Sequence, residues 1–250
     1  MKALKLALCA ATATLGLGMA TAALADDAPS VTVAYNLGVS NEYIFRGLSQ
    51  SGGKPQFFAG VDVSSGILYG GAWTSNVNLG DNTDQEIDLY AGVKPVLGPV
   101  TFDLGIIYYG YIGDPDNIDD YWEGKIAASV PVGKGSLGAA VYYSPEFPYD
   151  SGKATYFEVN GSYPIGKASI SGAIGHQDVD KSKFVFPVSG GPLDGYTTWN
   201  LGVTYPLTSH VGVDLRYWDT DSDARDYYST QAHKPFNAGS SFVATLKAAF

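Results

Sequence analysis

Twelve short segments of this chain alternate apolar and polar residues, and the connections between them alternate between short and long. Antiparallel strands that cross a bilayer place every second connection on the same side, with tight turns on one side and long loops on the other. A β-sandwich in water has no reason to sort its connections in this way. The pattern therefore predicts an all-β fold: a single antiparallel up-and-down transmembrane β-barrel of about twelve strands.

The predicted strands are 31–45, 56–64, 67–75, 85–93, 100–109, 121–130, 136–143, 155–163, 168–176, 197–205, 211–218 and 240–250. Short connections follow the even-numbered strands, at 65–66, 94–99, 131–135, 164–167 and 206–210. Long polar connections follow the odd-numbered strands, at 46–55, 76–84, 110–120, 144–154, 177–198 and 219–239. With an even number of strands, both ends of the barrel lie on the short-turn side, which is periplasmic in a bacterial outer membrane.

The last predicted strand shows the alternation clearly, since Phe242, Leu246 and Phe250 share one face while Thr245 and Lys247 lie on the other. A strand with one apolar face needs that face covered. No amphipathic helix is evident to cover it, so we expect outer-membrane lipid and lipopolysaccharide outside and the polar face inside. An alternating strand ending in Phe250 is also typical of the one that the barrel assembly machinery recognises.

Charged residues on the polar faces must point inward, because Lys or Arg facing lipid near the midplane costs about 2–4 kcal/mol. They are Asp62, Asp88, Asp103, Glu123, Lys125, Glu158, Asp214, Arg216 and Lys247. Six of these are acidic and three are basic, and rings of acidic residues attract cations. The alternative is a packed interior of paired charges, since bulky residues share these faces. Those are Tyr90, Tyr109, Tyr142, Tyr156 and Trp218.

Aromatic residues also lie near the predicted strand ends. They are Tyr35, Tyr69, Trp73, Tyr108, Trp122, Tyr143, Tyr163, Trp199, Tyr205 and Tyr217. Outer-membrane barrels carry aromatic girdles at both interfaces, and we expect these residues to form them. The alternative is the ordinary preference of Tyr and Trp for strands.

The first 25 residues have the pattern of a cleaved secretory signal peptide. Lys2 and Lys5 precede an apolar stretch, and Ala23 and Ala25 frame a cleavage site, which leaves 26–250 as the barrel. Cys9 is the only cysteine, so the exported part would have no disulfides. Loss of the two lysines takes the formal charge from -10 to -12, which excludes binding of nucleic acid through its phosphates.

Glu42 and Arg46 lie four residues apart in the first predicted strand and would share a face near the long-loop end. They are candidates for a constriction of the lumen. The alternative is a local ion pair without a transport role.

Two acidic clusters lie in the long connections. Asp219, Asp221 and Asp223 occupy positions 1, 3 and 5 of a calcium loop, but Ala224 stands where Gly is needed and Thr230 where Glu is needed. The other cluster is Asp114, Asp116, Asp119 and Asp120. Solvated acidic loops with weak divalent binding at most are the expected outcome, so no metal site is predicted.

Catalysis has little support in the sequence. The histidines, His176, His210 and His233, are scattered, and no G-x-S-x-G motif is present. Phosphate-binding glycine loops and His/Cys metal clusters are also missing from the sequence, so no cofactor is expected.

Residues 35–77 resemble the opening block of the TorF family of porins, a conserved proteobacterial family of unknown function. The matching pieces are Tyr43-Ile44-Phe45-Arg46-Gly47, Ser49, Ser51, Lys54-Pro55, Gly66, Tyr69, Gly71, Trp73, Ser75-Asn76 and the run 86–92. The resemblance covers about the first third after the leader and is looser beyond it. It implies an outer-membrane barrel named as a porin, and it implies no catalytic or ligand-binding residues.

These features together predict an outer-membrane porin that gives small hydrophilic solutes or ions a passive, cation-preferring passage. The first alternative is a non-conducting structural or surface-interaction barrel that acts through its acidic extracellular loops. A barrel enzyme and a secreted soluble β protein are the other hypotheses. Conductance separates the first two, lipid hydrolysis assays test the third, and membrane fractionation tests the fourth.

Overall fold

The computed structural model describes residues 30–80, 82–113, 120–148, 151–180, 193–228 and 237–250. The predicted signal peptide and the acidic residues Asp114, Asp116 and Asp119 lie outside the described residues. Within the described part of the chain, no helix is long and apolar enough to cross a membrane.

Twelve long strands form one closed antiparallel sheet. They are β1 (Thr32–Ser40), β2 (Gln56–Ser65), β3 (Leu68–Asn76), β4 (Gln85–Val93), β5 (Val100–Ile112), β6 (Tyr121–Val132), β7 (Gly135–Ser144), β8 (Ala154–Ile165), β9 (Ala168–Val179), β10 (Gly195–Pro206), β11 (Val211–Thr220) and β12 (Ser241–Ala249). Each strand pairs with the next in the chain, and β1 pairs with β12 from Asn36↔Ala249 to Ser40↔Thr245. This confirms the predicted up-and-down barrel, whose closure leaves none of the twelve long strands with a free edge.

The two faces of the wall differ as the alternation predicts. Outward positions are apolar and exposed, and Ile126, Leu201 and Phe242 are 64%, 55% and 75% exposed. Inward positions carry the polar and charged side chains, many of them buried. A wall that is apolar outside and polar inside suits a barrel surrounded by hydrocarbon.

The connections are short at one end of the barrel and long at the other. Two-residue turns join β2 to β3, β6 to β7 and β8 to β9, and the glycines at the first position, including Gly66 and Gly166, have φ of 59° and 62°. The connection from β4 to β5 contains a two-residue strand, Val96–Leu97, that pairs with the start of β5. The predicted parity of the connections is therefore confirmed.

The first predicted strand is wrong beyond Ser40. Residues 41–55 leave the wall and fold into the lumen, where they form a β-hairpin between Ile44–Phe45 and Leu48–Ser49. We call residues 41–55 the inserted segment. Its apolar side chains Tyr43, Ile44 and Leu48 are buried, so the packing gained inside the barrel explains why the strand does not continue.

The connection from β11 to β12 contains a short helix, α1 (Ser222–Tyr228), which was not predicted from the sequence. Its buried residues Ala224, Tyr227 and Tyr228 pack with Leu48 of the inserted segment and Tyr196 of β10. This apolar cluster lies at the long-connection end of the barrel.

Eight of the ten residues expected in the girdles point outward, and two point inward. Tyr69 donates a hydrogen bond to Asp103 Oδ1 at 2.6 Å inside the barrel, and Trp73 packs edge-on against Tyr43 of the inserted segment. The other eight are consistent with girdles, and on the outer face Tyr217 contacts both Trp199 and Phe242.

Candidate functional site

The tip of the inserted hairpin places one arginine inside the barrel. Arg46 and Gly47 are its two central residues, with φ of 48° and 84°. Positive φ at both positions is the requirement of a type I′ turn, which joins strands by two residues. Arg46 is the only residue other than glycine with positive φ in the described part of the chain, and it is 4% exposed.

Arg46 forms a two-point ion pair with a wall carboxylate. Its Nη1 donates to Glu123 Oε1 at 2.8 Å and its Nη2 donates to Glu123 Oε2 at 2.6 Å. Nη1 also donates to Gln177 Oε1 at 3.0 Å. Glu123 and Gln177 are each 1% exposed, so the pair is shielded from solvent on both sides.

Aromatic rings surround the same guanidinium. Its central carbon lies 4.3 Å from the ring centre of Tyr156, 5.0 Å from that of Tyr142 and 4.7 Å from that of Phe45. The Tyr109 hydroxyl donates to Glu123 Oε2 at 3.2 Å and helps to hold the carboxylate in place. Cation–π attraction adds to the ion pair in such a site.

The contacts of Arg46 span the lumen. The inserted segment starts at the end of β1, and in a closed ring of twelve strands the wall opposite β1 is β7. The partners Glu123, Tyr142, Tyr156 and Gln177 lie on β6, β7, β8 and β9. The segment therefore crosses from one wall to the other and constricts the lumen at this level.

Other contacts fix the segment around the ring. The Tyr43 hydroxyl donates to Glu86 Oε1 on β4 at 3.2 Å, and the Ser241 hydroxyl of β12 donates to Glu42 Oε2 at 2.6 Å. Ile44 packs against Trp218 and Val243 on β11 and β12. The constriction is thus assembled from one segment and most of the wall.

Two carboxylates on β4 face the constriction without a cation partner among the described residues. Glu86 and Asp88 are each 2% exposed, and Glu86 Oε2 and Asp88 Oδ1 receive no hydrogen bond there. Buried like charges repel each other, so this pair favours the arrival of a cation or a proton.

A second group of charges lies nearer the short-turn end. Lys125 Nζ is 2.7 Å from Asp103 Oδ2, and Lys94 Nζ is 3.9 Å from the same atom. Burial lowers the pKa of the Lys94 amine and the Lys125 ammonium adds to this, while Asp103 opposes both. Asp62 accepts a hydrogen bond from the Tyr90 hydroxyl at 2.6 Å.

A third ion pair lies within the wall itself. Arg216 Nη2 is 3.0 Å from Asp214 Oδ2, and the guanidinium also donates to Asn200 Oδ1 at 2.7 Å and to the Ser171 hydroxyl at 2.9 Å. These partners come from β9 to β11, so the pair ties neighbouring strands together and does not cross the lumen.

The structure places all nine strand charges predicted to point inward on the inner face. It brings Glu123 together with Arg46, Asp103 with Lys125, and Asp214 with Arg216. The alternative of a local ion pair between Glu42 and Arg46 is not what the structure has, because both residues leave the strand and bind different walls, Glu42 at Ser241 and Arg46 at Glu123. Three residues of the site, Glu86, Gln177 and Tyr43, were not predicted from the sequence, although Glu86 lies on the same strand face as Asp88, two residues away, and could have been found.

The acidic run after β11 is used by the chain itself. The Asp221 carboxylate caps α1 by accepting from the Ala224 amide at 3.1 Å, and it accepts from the Thr197 amide at 2.6 Å. Asp219 pairs with Arg225 at 3.0 Å. Among the described residues, no group of three metal-ligating side chains comes together. Asp221 caps α1, and Asp223 lies in its first turn.

Solved structures share this fold. The KdgM porin matches with a TM-score of 0.56 and 8% identity, covering 88% of this chain and 99% of that chain. The structure entitled KdgM porin in complex with disordered oligogalacturonate matches with a TM-score of 0.55, the same identity and the same coverage. Similarity at this identity concerns the fold alone. No curated protein matches the chain. The model of the family described as "Bacterial protein of unknown function (Gcw_chp)" matches residues 24–250, so the chain belongs to this family.

Proposed function

We propose that this protein is an outer-membrane porin for passive passage of small hydrophilic solutes or ions, with a preference for cations. The apolar outer wall and the charged interior support a membrane location. The proposal includes export through a leader at 1–25 and assembly through the strand that precedes Phe250. The resemblance to the TorF family and the fold shared with a protein named a porin agree with it.

The balance of unpaired charge in the lumen carries the proposal. Three ion pairs cancel three acids against three bases. The strand acids left without a basic partner at ion-pair distance among the described residues are Asp62, Glu86, Asp88 and Glu158, and Glu42 of the inserted segment is a fifth such acid. The bases left over are Lys247 and Lys94, since Lys94 shares Asp103 with Lys125. An excess of fixed negative charge concentrates cations and repels anions.

The inserted segment limits what passes. It constricts the lumen at the level of Glu123, which is buried, whereas Ser129, an inward residue nearer the short-turn end, is exposed. The interior is therefore more open to solvent towards the short-turn end than at the constriction, which suits small solutes rather than folded or polymeric ones.

Planar-bilayer recording of the refolded protein across a salt gradient tests the proposal. We expect a reversal potential of the sign of cation preference. The double variant Glu86→Gln and Asp88→Asn should reduce that potential, and Lys247→Gln should increase it. Lack of current over many insertions of folded protein would count against a channel.

A second candidate follows from the constriction itself. Because Arg46 binds the wall opposite the start of its segment, the resting barrel resembles a plugged one, and a non-conducting barrel would act through its long acidic connections. Silent bilayers together with surface binding of an external partner would favour this candidate.

A further inference from the structure

The wall around Arg46 has the chemistry of a guanidinium receptor. Glu123 offers both carboxylate oxygens to two nitrogens of one planar group, at 2.6 and 2.8 Å, and Gln177 offers an amide oxygen at 3.0 Å. Tyr142 and Tyr156 add aromatic rings at 5.0 and 4.3 Å. A carboxylate fork with aromatic faces is the arrangement that distinguishes guanidinium from a compact ammonium.

We propose that Glu123, Gln177, Tyr142 and Tyr156 form a binding site for small guanidinium-bearing cations, which Arg46 occupies as a tethered internal ligand. This rests on the proposed function and names the solute class that the constriction selects. A solute carrying a guanidinium group takes the place of Arg46, and the hairpin tip then leaves the lumen.

The four receptor residues lie in long strands of the wall, whereas Arg46, the tethered ligand, lies in a short hairpin. The receptor residues lie on β6 to β9, where unbroken strand pairing holds them in register. The ligand lies on a two-residue turn of a hairpin with two residues in each strand. The receptor can therefore persist when the hairpin moves.

Arg46 fits the site incompletely. Its Nε is buried and has no hydrogen-bond acceptor among the described residues, whereas its Nη1 and Nη2 both donate to Glu123. A buried donor without an acceptor is unfavourable, so the tethered occupant does not use the full potential of the site. A free guanidinium ion can orient without the constraint of the hairpin.

The charge of Glu123 links the replacement of Arg46 by a solute cation to the movement of the hairpin tip out of the lumen. A buried carboxylate that loses its cation is strongly disfavoured, so Arg46 leaves more readily when another cation takes its place. The other buried lumen arginine, Arg216, has its acid on its own strand, two residues away. Replacement of Arg216 by a solute cation would break a contact within the wall and would not move the inserted hairpin.

Because Arg46 is tethered beside the receptor site, it competes with any free guanidinium ligand for that site. A group linked to its own site is present at an effective concentration in the millimolar range, so removing it should tighten binding of a free ligand by about tenfold or more. The substitution Arg46→Asn suits the test, because Asn-Gly is the strongest sequence for a type I′ turn and preserves the hairpin while removing the guanidinium. Arg46→Gly gives a second such turn if the first variant does not refold.

The experiment is calorimetric titration of refolded protein in detergent, with methylguanidinium chloride as probe and methylammonium chloride as the probe of equal charge. Folding of each variant is checked by heat-modifiable gel mobility. We expect Arg46→Asn to bind methylguanidinium about tenfold or more tighter than the unsubstituted protein does, and to prefer it to methylammonium. Addition of Glu123→Gln should abolish this binding.

Asp214→Asn is the matched control, because it also neutralises a lumen carboxylate paired with an arginine but lies outside the receptor. In the Arg46→Asn background it should leave methylguanidinium binding in place. Equal loss of binding with either carboxylate variant, or no binding by folded Arg46→Asn or Arg46→Gly, would overturn the site.

The binding assay does not depend on conduction. Specific methylguanidinium binding without any current in bilayers would support the guanidinium site and contradict the proposed channel function. Cation-preferring current without guanidinium binding in the variants keeps the channel and removes the receptor.

Discussion

Gly47 of the inserted hairpin lies directly against Thr198 and Thr220 of the wall. A Cβ atom added to Gly47 would lie 2.6 Å from Thr220 Cγ2 and closer still to Thr198 Oγ1, and its φ of 84° is one that other residues rarely adopt. The Thr198 hydroxyl is already engaged with the Asp219 carbonyl at 3.0 Å, so it cannot turn away freely. The hairpin tip is therefore fitted to the wall at its glycine as well as at Arg46.

We expect Gly47→Ala to displace the hairpin from the lumen. The positive φ costs about 1 kcal/mol for a residue with a Cβ, and overpacking against the threonines adds about 1–3 kcal/mol. The measurements are protease cleavage within 41–55 in refolded protein and single-channel current. Cleavage and current should both increase.

Gly53→Ala is the control, because Gly53 also has positive φ, 73°, but a Cβ there would meet nothing within 4 Å. It shares the backbone cost and lacks the collision. If the two variants were cleaved equally, the contact with Thr198 would not be what holds the hairpin.

The barrel could be predicted from sequence because its determinant is periodic and local. Alternation with a period of two fixes which face meets lipid, and the parity of connection lengths fixes the topology. Both signals are repeated along the chain, so an error at one strand end does not disturb the whole. The strands of the structure follow the predicted ones closely for this reason.

The inserted segment could not be predicted in the same way. Tyr43, Ile44 and Phe45 look like the continuation of a strand, and their partners on β3, β4, β5, β11 and β12 are distant in sequence. One signal was present, since 31–45 was the longest of the predicted strands and ran into an Arg-Gly pair suited to a turn. The residues of the family resemblance at 43–55 fold as this segment.

The candidate site was predicted in part. The spacing of Asp88, Glu123 and Arg216 indicated correctly which charges face inward, because orientation follows from alternation. Which charges pair with which depends on contacts across the lumen, and a sequence pattern does not contain them. Tyr69 and Trp73 were assigned to the girdle from their place near strand ends, whereas the face they lie on is the polar one.

The ion pair nearer the short-turn end should tune selectivity. Lys125→Gln removes the base that binds Asp103 at 2.7 Å and leaves Asp103 with only the more distant Lys94 at 3.9 Å. The lumen then has one positive charge fewer, so we expect a stronger preference for cations. Asp103→Asn leaves Lys125 unpaired and should weaken that preference. Reversal potentials across a salt gradient measure both effects, and shifts of the same sign would contradict the assignment.

The start of α1 depends on one carboxylate. Asp221→Ala removes the acceptor for the amides of Ala224 and Thr197, and loss of such a cap costs about 0.5–2 kcal/mol. We expect faster proteolysis of the connection between β11 and β12, with the barrel itself intact on a heat-modifiable gel. Asp223→Ala, at a position in the first turn that is exposed, should have a smaller effect.

Calcium gives a separate test of the same run. Because Asp219 and Asp221 are already engaged by Arg225 and by backbone amides, we expect calcium titration to give no heat at millimolar concentration. Saturable calcium binding that Asp221→Ala abolishes would show that the carboxylates rearrange into a metal site.

A charged side chain introduced on the outer face of the wall should destabilise the barrel. Ile126 is near the middle of β6, faces outward and is 64% exposed, so Ile126→Arg would place a guanidinium in hydrocarbon. The expected cost is about 2–4 kcal/mol for a residue near the midplane. Reversible urea unfolding in lipid vesicles should show a loss of this size.

The control is Ser129→Arg, three residues along the same strand, where the side chain faces the lumen and is exposed. An arginine there remains hydrated and has the Asp103 carboxylate on the neighbouring strand β5 to offset its charge, so folding in vesicles should be little changed. If Ile126→Arg were tolerated as well as Ser129→Arg, the exposed apolar face of this strand would not be in contact with lipid, and the membrane-spanning arrangement of the barrel would be contradicted.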